Sequence, residues 1–277
     1  SLKEGLTVFR DQSFTSDLHS AGLKRIEDVS FLRNFQFAED KGPTSHAVKP
    51  KEYVAIDNFY TTTIYEKGAE LIRMLELLLG KENFFRGINL YIKTFDGVAA
   101  TTEDFLNSLI KGAFLDKKYC PFDINRFLNW YYISGTPKVY INQSWDPENS
   151  ILNVSFHQKL NSETNNENIE MVIPILYSCY SRGKGFMPIV EDNLLILDEN
   201  IKNLQINTIP GEKEPPVLSI FRGFSAPVAW ESDLSMDDYL FLFLNDNDYF
   251  SRWDAGQLLM REIIKNRICN KENYSLE

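Results

Sequence analysis

Ser134-Gly135-Thr136-Pro137-Lys138-Val139-Tyr140-Ile141 is where the periodicity of this sequence changes. Before it, apolar residues return every three or four positions, as they do on one face of a helix. After Pro137, Val139 and Ile141 alternate with polar neighbours, the period of a half-buried strand. Gly135 and Pro137 are the breakers that separate the two regimes. The chain therefore reads as helices followed by strands.

Upstream, residues 1–134 read as helical. Leu2, Leu6 and Phe9 share a face before the chain turns polar at Ser13 to Ser16. Leu23, Ile26, Val29 and Leu32 form a second stripe, and Asp40-Lys41-Gly42-Pro43 opens a loop closed by Pro50. A third helix fits Thr62 to Leu79, with Ile64, Leu71, Leu75 and Leu78 on one face and Gly80 at the C-terminal cap. Shorter helices fit Glu82 to Phe95 and Thr102 to Phe114, with Thr102 as a cap and Leu106, Leu109 and Ile110 facing inward.

Downstream, Leu152, Val154 and Phe156 alternate with polar residues, as do Leu204 and Ile206, while Val172 to Tyr180 is more continuously apolar. Asp146-Pro147, the polar stretch Asn161 to Asn168, and Arg182-Gly183-Lys184-Gly185 supply turns. This is the pattern of a small antiparallel sandwich ending near Phe221. From Ser235 the period lengthens again. Ser235-Met236-Asp237-Asp238 has the form of a capping box, and a last helix fits Asp248 to Ile268 with Trp253, Leu258 and Ile263 inward. The expected class is α+β and multidomain: helical segment 1–134, sandwich 135–228, and the first helices of a further helical domain over 229–277.

The chain has 277 residues, 43% hydrophobic and 25% charged, an ordinary globular composition. Its formal net charge of −10 argues against a general nucleic-acid binder, which presents a basic face to phosphate. Cys120, Cys179 and Cys269 are too few and too scattered for a disulfide framework, which fits a cytoplasmic protein. The most apolar run, Tyr239 to Leu244, falls far short of the ~20 residues of a membrane helix. The chain opens without Met, in what reads as helix interior, so we expect a piece of a longer protein.

Little chemistry is legible residue by residue. His19, His46 and His157 make no close pair, and HExxH, GxSxG, Walker and GxGxxG patterns are absent. Two longer segments change this. Ser1-Leu2-Lys3-Glu4-Gly5-Leu6-Thr7-Val8-Phe9-Arg10-Asp11-Gln12 and Asn58-Phe59-Tyr60-Thr61-Thr62-Thr63-Ile64-Tyr65-Glu66-Lys67-Gly68-Ala69-Glu70-Leu71-Ile72-Arg73 together closely resemble the aminopeptidase N (alanyl aminopeptidase) family of zinc metallopeptidases, gluzincins, in its bacterial and apicomplexan branch. Gln36 to Asp40, Ser134 to Pro137 and Ser219 to Val228 support the match, which spans essentially the whole chain.

The resemblance implies the helical half of a thermolysin-like catalytic domain, then the sandwich, then the opening of the C-terminal helical domain. In the family a helix carries HExxH, and a Glu completes the zinc site after eighteen further residues. That Glu matches Glu4, so the resemblance implies Glu4 as third zinc ligand. Zinc accepts two imidazoles and a carboxylate and keeps a position for water. Read alone, without the resemblance, Glu4 is a solvated helix carboxylate far more often than a ligand. Tyr65 matches the catalytic tyrosine, a phenol that remains a donor at neutral pH and can stabilise an oxyanion. Its alternative is a buried aromatic beside Gly68, Ala69 and Ile72. Tyr60 matches a residue lining the pocket for the first substrate side chain, or is a core tyrosine. Asp11 matches a carboxylate orienting a zinc-binding His, or is an exposed ion-pair partner for Arg10. Lys3 is placed near the substrate entrance or is simply solvated.

The HExxH helix and the segment gripping the substrate amine do not occur in these residues, and His46-Ala47 stands where members usually have His-Pro. The implied function is hydrolysis of N-terminal residues from peptides by metal-activated water. One zinc ion is expected in the parent protein and none in this chain alone, which is then inactive. The alternative is a non-catalytic scaffold or peptide-binding module of the same ancestry. Peptides are the expected partners. A face around Glu4, Phe9 and Tyr65 left uncovered would also promote self-association of the isolated chain, or disorder over residues 1–35.

Overall fold

The computed structural model describes residues 2–52, 55–113, 120–160, 169–184 and 187–269. The polar stretch 161–168 and the Gly185 end of the next turn lie outside the described residues, as does Phe114.

Helix α1 runs Leu2–Leu18, past the polar stretch expected to end it. No Gly or Pro interrupts it there, and the Ser13 hydroxyl bonds the Phe9 carbonyl, 2.7 Å, within the helix. Helix α2 (Ala21–Phe31) starts at Ser20, whose side chain accepts from the Leu23 N–H. It continues through a π-helical turn, Leu32–Gln36, into α3 (Phe37–Lys41). The predicted third helix begins with another wide turn, Thr63–Lys67, before α4 (Gly68–Leu79). Gly80 ends it at φ 77, ψ 146, a conformation essentially reserved for glycine. Helix α5 spans Lys81–Phe95 and α6 Thr102–Ala113. The α6 cap is Thr101 rather than Thr102: the Thr101 hydroxyl accepts from Asp104 N–H, and the Asp104 carboxylate accepts from Thr101 N–H. Thr102 is buried inside the helix. Helix α7 (Ile124–Tyr132) starts at an Asp123 cap.

Among the described residues seven strands follow: β1 (Pro137–Asp146), β2 (Ile151–Leu160), β3 (Ile173–Tyr180), β4 (Pro188–Leu197), β5 (Ile201–Asn207), β6 (Val217–Ile220) and β7 (Ala229–Ser232). They form sheets of order β5-β2-β1-β7 and β4-β3-β6. All pairs are antiparallel except β1 with β7, which are parallel. One apolar core runs from Phe9 and Leu71 in the helices through Trp130 to Val139, Ile175 and Phe221 in the sheets. Trp130 fixes the seam by donating to the Val172 carbonyl, 2.8 Å. Helices α8 (Met236–Asn245) and α9 (Tyr249–Cys269) close the chain, α8 with the expected Ser235–Asp238 capping box. Trp253 packs inward in part, but Ile263 is exposed, contrary to the expectation. Among the described residues no helix is long and apolar enough to cross a membrane.

Candidate functional site

The first turn of α1 carries Glu4, whose side chain is buried beneath an exposed Lys3. The next residue explains the burial. A Cβ on Gly5 would stand 2.6 Å from the Gly68 carbonyl carbon, and one on Gly68 would stand 3.2 Å from the Gly5 Cα. Helix α1 and the start of α4 therefore touch backbone to backbone. Burial pushes the Glu4 carboxyl up, while hydrogen bonding to its own backbone N–H and the Lys3 charge at 3.7 Å act in the opposite direction.

Glu4 lines a cleft of about 400 Å³ together with Leu2, Phe59, Tyr60 and Tyr91. Tyr60 ends a short 3-10 turn, Ile56–Phe59, and its ring meets Phe59 edge-on at 5.5 Å. It is half exposed, so it is a wall residue of this cleft and not a core tyrosine. Tyr65 sits in the wide turn Thr63–Lys67. Its ring is partly buried with its centroid 6.4 Å from that of Tyr60, and it does not itself line the cleft. Among the described residues, its hydroxyl bonds to none. Asp11 lies two turns after Glu4 on α1 and is exposed, with no ion pair to Arg10 among the described residues. Its charge is felt at Lys24 and Glu66. Phe9 is not uncovered as expected: it is buried edge-on against Phe84, with the Arg73 guanidinium over its ring.

What holds Tyr65 was not apparent from the sequence. The Glu39 carboxylate accepts from the Thr62 hydroxyl, the Thr63 hydroxyl (2.9 Å) and the Thr63 N–H (3.0 Å), so it caps the turn bearing Tyr65. Gln36 Nε2 donates to Thr63 Oγ1, 3.2 Å, joining the two wide turns. Thr61 bonds His46 Nε2, 2.8 Å, and His46 Nδ1 pairs with the Ala47 carbonyl. Lys67, fully buried, donates to Asp40 Oδ2 (3.0 Å) and to the Gly135 carbonyl (2.8 Å), anchoring the turn to the start of the sandwich. The only advance signal was that Gln36 to Asp40 belongs to the matched segments.

Behind the site, Gln12 donates to Glu66, 3.4 Å, and accepts from Arg73, 2.6 Å. Burial, and then the negative charges of Asp28, Glu70 and Asp11, push the Glu66 carboxyl up. A carboxylate such as Glu4 suits a divalent cation, but zinc catalysis uses three protein ligands. Among the described residues no group of three His, Cys, Asp or Glu side chains could hold a metal ion. The donor set fits one corner of a zinc site.

Residues 1–131 match the peptidase family M1 domain. Residues 135–233 match a domain of unknown function (DUF3458) with an Ig-like fold, and residues 236–277 match its C-terminal companion of ARM repeats. The chain is 37% identical over 282 residues to the aminopeptidase N of Haemophilus influenzae, covering 100% of this chain and 32% of that protein. It is 41% identical over 266 residues to the aminopeptidase N of Caulobacter vibrioides, with 96% and 30% covered. Crystalline Legionella pneumophila aminopeptidase A, in complex with aspartic acid, matches with a TM-score of 0.77 and 29% identity over 99% of this chain and 29% of its own. The chain spans about a third of the length of the curated relatives it matches.

Proposed function

From a chain that belongs to the aminopeptidase N family of M1 peptidases, we propose that these residues form part of the active site of a zinc aminopeptidase releasing N-terminal residues from peptides. The observation that supports it is the cleft shared by the buried Glu4 carboxylate and aromatic walls, with the Tyr65 ring 6.4 Å from that of Tyr60.

Glu4 would hold zinc from α1 together with ligands outside these residues. Zinc, when bound, supplies a Lewis acid that polarises the scissile carbonyl and acidifies water. Tyr65 donates its hydroxyl proton in a hydrogen bond to the carbonyl oxygen as that oxygen gains negative charge. Its turn is pinned by Glu39, Gln36 and Lys67, so little reorganisation is needed at that moment. Tyr60 and Phe59 exclude water around the first side chain of the peptide. Asp11, on the outer side of α1, would orient an imidazole ligand supplied by the rest of the protein.

The test is Glu4→Gln and Tyr65→Phe in the full-length protein, with zinc content, melting temperature and steady-state kinetics measured together. Glu4→Gln should lose zinc on dialysis. Tyr65→Phe should retain zinc and lose ~10²–10³ in kcat with KM little changed. Near-normal kcat in zinc-loaded Tyr65→Phe removes Tyr65 from the mechanism. The scaffold alternative is separated by the coding sequence upstream of Glu4, where the enzyme requires HExxH.

A further inference from the structure

We propose that Gly5 and Gly68 are a positioning pair whose backbone contact sets the separation between the Glu4 carboxylate and the Tyr65 ring. The proposal rests on the roles just assigned to Glu4 and Tyr65 and adds the element that holds them in mutual register.

Neither glycine is there for its conformational range. Gly68 is helical at φ −55, ψ −42, and Gly5 lies inside α1. Glycine is a poor helix former, so each weakens its own helix. What both supply is the absence of a side chain at one crossing point. A Cβ on Gly5 would meet the Gly68 carbonyl carbon, oxygen and Cα at 2.6, 2.8 and 2.9 Å, all of them backbone that cannot rotate aside. Gly5 follows Glu4 directly, and Gly68 follows Tyr65 by three residues. Both glycines are buried. Any side chain at the crossing pushes α1, and Glu4 with it, away from the turn that holds Tyr65. A polar atom displaced by about 1 Å in an active site costs ~10²-fold in rate, so a shift of a few tenths of an ångström is already measurable.

The experiment uses the full-length protein. Gly68→Ala, whose Cβ would be 3.2 Å from the Gly5 Cα, requires a displacement of a few tenths of an ångström. We expect it to retain one zinc and its KM while kcat falls about tenfold. Gly5→Ala displaces the turn bearing Glu4 itself, so it should in addition weaken zinc about tenfold in a chelator competition. Gly256→Ala is the control: its Cβ would stand 2.9 Å from the Phe243 ring, a clash between α9 and α8, which carry no residue of the cleft. It should lower the melting temperature and leave kcat and zinc affinity alone. If Gly5→Ala does not fold, Gly68→Ala decides. A folded Gly68→Ala with unchanged kcat overturns the proposal, as do equal losses in Gly256→Ala. Effects in Glu4→Gln and Tyr65→Phe without effects in the glycine variants sink only the positioning role, whereas silence in those two sinks the underlying reading.

Discussion

Removing the Glu70 carboxylate tests what joins the helical segment to the sandwich. Glu70 on α4 is buried and accepts both arms of the Arg25 guanidinium, at 2.7 and 2.6 Å. Arg25, 11% exposed at its side chain, also donates to the Gly223 and Phe224 carbonyls beyond β6, at 2.8 and 2.9 Å. In Glu70→Ala the guanidinium keeps those carbonyls but loses the one full counter-charge that stands within bonding distance among the described residues. Breaking such a buried pair costs about 3–5 kcal/mol. At about 2–4 °C per kcal/mol for a chain of this size, the melting temperature should fall by about 6–20 °C. The pH dependence fixes the cause. Burial alone would raise the Glu70 carboxyl, but the Arg25 charge, its hydrogen bonds and Arg73 outweigh it and hold the carboxyl below its ordinary 4.5. A depressed carboxyl contributes stability that is fully present above the unfolded value and disappears as pH falls through the folded one. The gap between wild type and Glu70→Ala should therefore be constant from neutral pH down to the ordinary carboxylate range and close below it. Thermal unfolding followed by circular dichroism between pH 7 and 3 measures this. A loss under 2 °C, or a gap that persists unchanged to pH 3, refutes the reasoning.

Glu66 is the opposite case: burial and neighbouring carboxylates raise it, so its ionisation opposes folding at neutral pH. Glu66→Gln should raise the melting temperature at pH 7, and the gain should vanish below the ordinary carboxylate value of 4.5; no gain at pH 7 counts against the assigned environment. Gly80→Ala should cost about 1–3 kcal/mol in urea unfolding, since φ 77, ψ 146 is hostile to a Cβ. Purified as these 277 residues alone, the chain should retain no zinc through dialysis and cleave no peptide; one tightly held zinc on Glu4 would overturn the ligand count.

Periodicity carried the architecture as far as local spacing dictates structure. The switch at Gly135 to Pro137, the Gly80 stop and the Ser235 capping box are local chemistry, and each stands where its residues put it. What escaped depends on distant partners. Strand β4 hides because Glu191-Asp192-Asn193 interrupts its alternation, and the strand keeps pairing with β3 through a bulge. Strand β7 has four residues and owes its existence to the edge of β1. The two wide turns are invisible in a hydrophobic stripe, because one added residue shifts the phase without removing the stripe. Glu4 and Tyr65 were legible only as parts of long motifs; spacing alone left both as ordinary helix residues. Glu39 and Gln36, which hold the tyrosine's turn, act across more than twenty positions of sequence, and no local pattern encodes that.

A wide turn is a helix with one residue more than its winding needs. The segment 63–67 is therefore sensitive to length in a way that no substitution scan would reveal. Deleting a single codon there lets the turn close into ordinary winding, which the helix itself tolerates. Everything on its N-terminal side would swing by about 100° relative to α4. Gly68 would still meet Gly5 and the core around Leu71 would stay packed, while the phenol turned toward a different wall. Such a protein would also lose the Glu39 and Gln36 bonds to Thr62 and Thr63, so it should melt below its parent while the α4 core stays packed.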